Sequence, residues 1–276
     1  MACAPCQEVA GTLGKAWTDA PRVYLTGRIT LERDRIAVNE RHLPGRQGRR
    51  AFAYLVLERA RPVPIDEVAL AVWGTGEPAG AWETALSAIV SKLRATLKPL
   101  GFDARAIAAE SGCYRLTLPA GAWVDVEAAR RALDEAEGHV RARRPSQAWG
   151  PANVAASIAE RPFLAGDDGE WIARVRAGLR DTRVRALECL VTVASANGEH
   201  PLAARLARDV VDLEPFRETG WQRLMRALAD GGNRAEALRA YAECRALMAK
   251  ELGVAPSPET EGIASTLRGA RAGSSA

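Results

Sequence analysis

The chain has 276 residues, 47% hydrophobic and 26% charged, the balance of an ordinary globular protein with room for one large domain or two mid-sized ones. No apolar run reaches the roughly 18 residues that a membrane-crossing helix needs, and the start, MACAPCQEVAGTLGK, lacks a basic segment followed by an apolar one, so neither a membrane span nor a secretory leader is expected. The formal charge of +4 is unevenly placed: residues 1–124 carry 16 basic and 12 acidic side chains, whereas residues 125–276 carry 22 of each.

Residues 1–20 are expected to form a mobile end. Within them Cys3 and Cys6 make a CxxC pair, which is either half of a metal or redox site or two incidental thiols. No second CxxC or histidine pair follows at zinc-finger spacing. The remaining cysteines, Cys113, Cys189 and Cys244, are scattered, which fits a reducing cytoplasm better than a disulfide framework. His42, His139 and His200 lie far apart, and the HExxH, GxSxG and GxxxxGK[ST] patterns are all missing. The reading is therefore of a non-enzyme with no metal and no cofactor.

The segments RVYLTG, RITLER and DRIAVNE alternate in short β-branched runs broken by Gly27 and Asp34, and predict two or three antiparallel strands. RQGRRAFAYLVLERA then turns helical, with Phe52, Leu55 and Val56 as the buried stripe and Pro62 and Pro64 as its stop. IDEVALAVW is a second helix, its Asp66 and Glu67 near the N-terminus where the helix dipole favours acids. The longest pattern of this half is AWETALSAIVSKLRATLKPLG, with Ala85, Leu86, Ile89, Val90, Leu93 and Leu97 predicted to face inward. Its other face, Thr84, Ser87, Ala88, Ser91, Lys92 and Ala95, is small, polar and mildly basic, and no acid follows Glu83. ARAIAAESGCYRLTL predicts a hairpin turning near Ser111-Gly112.

Three helices followed by a hairpin is the layout of a winged helix-turn-helix, whose third helix enters the major groove. Periodicity alone also fits an ordinary amphipathic surface helix. The strings LPGRQGRRAFAYLVLERARPVPIDEVALAVWG, LSAIVSKLRATL, GCYRL and WVDVEAA, from about Arg22 to Asp125, resemble the DNA-binding unit of the SARP-type (AfsR/SARP) antibiotic-regulator activators. The resemblance implies that Ala81–Leu97 holds the recognition helix. Thr84, Ser87, Ala88 and Ser91 would then face base edges, and Lys92 and Arg94 would serve phosphates or a guanine. Arg49 and Arg50 at the first helix and Arg115 in the wing would contact the backbone. Arg94 has an alternative, pairing internally with an acidic side chain. Glu110 sits at the hairpin tip, where a basic residue would suit DNA better.

From Asp125 onward the pattern is helical. Setting Gly198 on Gly232 reveals a 34-residue offset that pairs Leu187 with Trp221, Leu190 with Leu224, Ala203 with Ala237 and Leu213 with Leu247. This is the tetratricopeptide period, in which stacked helical pairs bury faces that none can bury alone. Cys189, Cys244, Trp149, Trp171 and Trp221 are read as packing residues. DDGEW is read as a helix start capped by Asp167 or Asp168, or as an acidic pair that meets a basic partner. PFLAGDDGEWIARVRAGL, VVDLEPFRETGWQRLMRAL and GGNRAEALRAYAECRALMAKELGVAPSPET resemble the bacterial transcriptional activator domain over roughly Val126–Leu267.

The expected architecture is an α+β winged helix-turn-helix domain at 21–124 and an all-α tetratricopeptide-like domain at 125–268, with a mobile end at 269–276. The resemblance implies a cytoplasmic, sequence-specific regulator, more an activator than a repressor. It would bind direct repeats in double-stranded promoter DNA as a homodimer and contact the RNA polymerase holoenzyme. It leaves room for a small-molecule effector that no motif identifies. The alternative is a tetratricopeptide-like interaction or ligand-sensing module whose DNA-binding unit is weak or degenerate.

Overall fold

The computed structural model describes residues 20–75, 80–103 and 105–269. The Cys3–Cys6 pair and both predicted mobile ends, apart from residues 20 and 269, lie outside the described residues. Two compact units divide the chain, residues 1–128 with 161–177, and residues 129–160 with 178–276. Among the described residues no helix is long and apolar enough to cross a membrane.

The first unit opens with β1 (Arg22–Tyr24), β2 (Thr30–Arg33) and β3 (Ile36–Asn39). They form an antiparallel meander, with Val23 opposite Leu31 and Leu31 opposite Val38 on the buried face. A short helical turn at Glu40–His42 leads into α1 (Gly45–Leu57). Phe52, Leu55 and Val56 of α1 are fully buried, as the period predicts. A two-residue strand β4 (Val63–Pro64) precedes α2 (Ile65–Trp73), and α3 (Trp82–Leu97) follows. Leu86, Ile89, Val90, Leu93 and Leu97 line the inner face of α3. Ala85 is exposed, contrary to expectation. It precedes Leu86 by one residue, about 100° of helix rotation, and so falls off the buried line.

β5 (Ile107–Glu110) and β6 (Cys113–Leu116) form the predicted hairpin. Glu110 pairs with Cys113 across a two-residue loop whose Ser111 and Gly112 have φ of 50° and 73°. Two consecutive positive φ angles define the hairpin turn that follows the natural strand twist, and glycine takes one of them without strain. β4 pairs with β6, so β5 is the outer strand of this sheet. A strand the sequence pattern did not reveal, β7 (Trp123–Val124), pairs parallel to β1.

α4 (Asp125–Arg141) begins at a buried Asp125. Its carboxylate accepts the backbone N–H groups of Leu25 and Thr26 at 3.0 and 2.9 Å, the Thr26 hydroxyl at 2.7 Å and the Val126 N–H at 2.7 Å. One side chain thus satisfies the end of the first strand and the start of the helix.

In the second unit, α4 continues and α5 (Pro145–Ala159) follows. Ala136, Ala148 and Ala152 pack with Val184, Leu187, Leu190 and Val193 of α6 (Glu170–Ala196). The repeat is then explicit in α7 (His200–Leu213), α8 (Glu218–Asp230) and α9 (Arg234–Leu252). Glu199 N donates to Ala194 O at 2.9 Å, and Asn233 N to Leu228 O at 2.8 Å. These are the same helix-ending bond 34 residues apart, each with a left-handed glycine, Gly198 and Gly232, inside it. Ala203 and Ala237 are fully buried where helices approach. The last helix, α10 (Pro258–Gly269), is held through Glu218, which accepts Ser257 N, Ser257 Oγ and Thr260 Oγ1. Cys189, Cys244 and Trp221 are buried as predicted, but Trp149 is 39% exposed, because its neighbour Ala148 takes the buried position on α5.

Candidate nucleic-acid interface

The outward line of α3 is set by the buried one. With Leu86, Leu93 and Leu97 inward, the 100° step per residue puts Thr84, Ala88, Ser91 and Ala95 on the opposite side. Ser87 and Lys98 flank that line on one side and Lys92 on the other. All seven are exposed. None of the outermost four has a side chain longer than threonine, so the helix backbone can approach a groove floor closely. The helix starts at Ala81 without a side-chain cap, and its last turn is held by the Thr96 hydroxyl on His42 O and Lys92 O, both at 3.0 Å.

The four predicted arginines divide. Arg115 is exposed on β6. Arg94 is turned back onto the hairpin: its Nε and NH2 donate to Ile107 O at 2.9 and 2.7 Å. Its internal partner is therefore a carbonyl rather than an acid. Arg49 donates to Asp167 at 2.8 Å and approaches Glu40 at 3.6 Å. Arg50 is buried and donates to Asp168 O at 3.0 Å. Burial lowers its pKa, against the opposing pull of Asp167.

Asp167 is fully buried, and Arg46 as well as Arg49 pairs with its carboxylate. This corrects its reading as a helix cap: the carboxylate is held by two arginines of α1 in the same unit. Arg46 gains a raised pKa from its hydrogen bond to Asp167. Sequence reasoning missed Arg46 and also Lys98. The second was findable, since Lys98 follows Ser91 by seven residues and repeats its helix face.

The family model for the bacterial transcriptional activator domain matches residues 124–268, more than half of the chain. The chain belongs to this family, that of the SARP-type regulators. The curated relatives agree. The regulatory protein AfsR of Streptomyces coelicolor is 31% identical over 212 residues, which is 77% of this chain and 21% of the relative. The transcriptional regulatory protein EmbR of Mycobacterium tuberculosis is 28% identical over 224 residues, covering 76% of this chain and 54% of EmbR. The regulatory protein DnrI of Streptomyces peucetius is 27% identical over 228 residues, with 77% of this chain and 80% of DnrI covered.

The SARP-type chain thus spans about a fifth of AfsR and about half of EmbR. A solved structure of Mycobacterium tuberculosis EmbR in complex with a low-affinity phosphopeptide has the same fold. Its TM-score is 0.80 at 24% identity, with 90% of this chain and 65% of that chain covered. The winged helix-turn-helix followed by tetratricopeptide-like helices is therefore the family's architecture in this chain, and the family is one of transcriptional regulators rather than enzymes.

Proposed function

We propose that this SARP-type chain regulates transcription by inserting α3 into the major groove of double-stranded promoter DNA. The observation that carries the reading is the outward face of α3, where Thr84, Ser87, Ala88, Ser91 and Lys92 are exposed together and no acid follows Glu83. Short polar and methyl-bearing side chains suit base edges, and Lys92 and Lys98 supply phosphate or guanine contacts. Arg115 on the wing would meet the neighbouring backbone. Arg49, Arg50 and Arg94, held by partners inside the first unit, contribute less than the sequence pattern implied. The electrostatic grip is then modest, which favours two copies on adjacent direct repeats. The domain at 125–268 is read as the part that joins copies and touches RNA polymerase, in the cytoplasm and at the nucleoid.

Selection of bound sites from a random duplex library by the full chain tests this. The expected outcome is an enriched motif repeated in direct orientation about one helical turn apart. Failure to enrich any motif, together with salt-insensitive binding, would overturn it. The commitment of three arginines to internal partners favours one competitor, a tetratricopeptide-like interaction module with a degenerate DNA-binding unit. That competitor predicts capture of a peptide or small molecule by the chain with no enrichment of DNA.

A further inference from the structure

The Ile107 carbonyl of the hairpin accepts its hydrogen bonds from a side chain outside its own sheet. Thr117 N donates to Ala106 O at 2.7 Å, which makes that pair a hydrogen-bonded one in the ladder of β5 and β6. Such pairs alternate along an antiparallel ladder. The next residue, Ile107, opposite Leu116, therefore turns its carbonyl away from β6. β5 is the outer strand, so no further strand is there to receive that carbonyl. Ile107 is also fully buried, and a buried carbonyl without a donor is costly. Arg94 resolves this by placing two N–H groups on the one oxygen. Among the described residues, both hydrogen bonds from α3 to the hairpin come from this side chain.

We infer that Arg94 is a positioning residue for DNA recognition: it fixes the base of the wing against the second half of α3, so that Arg115 and the α3 face engage one duplex at a set spacing. This rests on the DNA-binding reading above. A planar guanidinium does this better than an ammonium, because its two donors fix direction as well as distance. The opposite edge of the sheet is anchored separately, by β4 and by Ile65 N donating to Gly112 O at 3.0 Å. Loss of Arg94 therefore frees the β5 side while leaving the hairpin folded.

The experiment is a double-mutant cycle on the full chain, with Arg94→Ala, Arg115→Ala and the pair, each titrated with a library-selected duplex at rising salt. Arg115→Ala alone is expected to lower the slope of log affinity against log salt by about 0.9, one phosphate contact. In the Arg94→Ala background the same change is expected to have almost no effect, because the wing no longer holds its place. Arg94→Lys should recover part of the coupling. Amide exchange gives the second readout: β5 amides should exchange faster in Arg94→Ala while the α3 amides stay protected. If the wild-type chain shows no salt-sensitive DNA binding, the DNA-binding reading fails and this inference with it. If the wild type binds but the two substitutions add, Arg94 acts on DNA independently of the wing, and this inference alone is overturned. If Arg94→Ala does not fold, the same salt titrations and exchange measurement on Arg94→Lys, alone and with Arg115→Ala, decide the matter: strictly additive slopes and wild-type exchange of the β5 amides would overturn the inference.

Discussion

Arg49 and Asp167 lie 118 positions apart in sequence and 2.8 Å apart in the fold, with the Asp167 side chain completely buried. Arg46 shares the same carboxylate. Together with Arg50, which holds Asp168 O, they fasten the 161–177 segment to α1 within the first unit. Removing the acid strands Arg49, whose side chain is only 25% exposed. Asp167→Ala is therefore expected to destabilise the first unit by about 2 kcal/mol, below the usual cost of breaking a fully buried pair because the arginines retain some water. Urea denaturation followed by amide exchange of the α1 backbone checks this. Arg46→Ala should cost much less, since Arg46 is 58% exposed.

Asp125 is a second anchor. Its loss leaves the N–H groups of Leu25 and Thr26 buried without acceptors. Asp125→Ala should cost about 3 kcal/mol, summing unmet backbone donors and a lost helix start. Thr26→Val removes only the hydroxyl bond and should cost about 1 kcal/mol. Equal effects in denaturant melts would contradict this ranking.

The pH dependence of the first unit follows from Tyr54 and Glu67. The Tyr54 hydroxyl donates to Glu67 at 2.5 Å, and Arg61 holds the same carboxylate. Burial first, and then the bond to Glu67, push the Tyr54 phenol from 10.0 up to about 12. The Arg61 hydrogen bond, followed by that of Tyr54, holds Glu67 below the carboxylate value of 4.5. The stability tied to Tyr54 is present below pH 10 and is lost as pH rises towards 12. That of Glu67 is present above 4.5 and is lost as pH falls below it. Ultraviolet titration should show a late phenol ionisation that Tyr54→Phe removes. Glu67→Gln should flatten the acid limb of the stability curve.

The outward line of α3 bears on base preference. Thr84, Ala88 and Ala95 present methyl groups, and the nearest arginine, Arg94, is held by Ile107 O. Apolar contact with thymine methyls is the readout such side chains allow. Replacing a contacted thymine by uracil in a selected site should weaken binding by about 0.8 kcal/mol, the worth of one buried methyl-sized group. Thr84→Ser should abolish the difference at one position. Indifference to uracil at every position would contradict the placement of this face.

Much of this was legible in the sequence because periodicity reports local geometry. The buried lines of α1 and α3, the turn at Ser111-Gly112 and the 34-residue offset all depend on neighbours within about one helical repeat. The misses share one cause. Where a long side chain reaches is settled by tertiary packing, so nothing local announced that Arg94 would cap Ile107 O or that Asp167 would receive Arg46 and Arg49. β7 was hidden for the same reason: two residues cannot show an alternation, and their strand character comes from β1. Ala85 and Trp149 show the limit from the other side, since an apolar residue one step off the buried line remains exposed.

The central claim is that α3 meets DNA through the face that holds Lys92. The most direct measurement is the affinity of the full chain for a library-selected duplex between low and moderate salt, for wild type and Lys92→Ala. The Lys92 side chain is exposed, so folding should be unchanged in Lys92→Ala. The account predicts a negative slope of log affinity against log salt in the wild type, made shallower by about 0.9 in Lys92→Ala. Identical slopes for the two proteins, or binding that ignores salt, would contradict it.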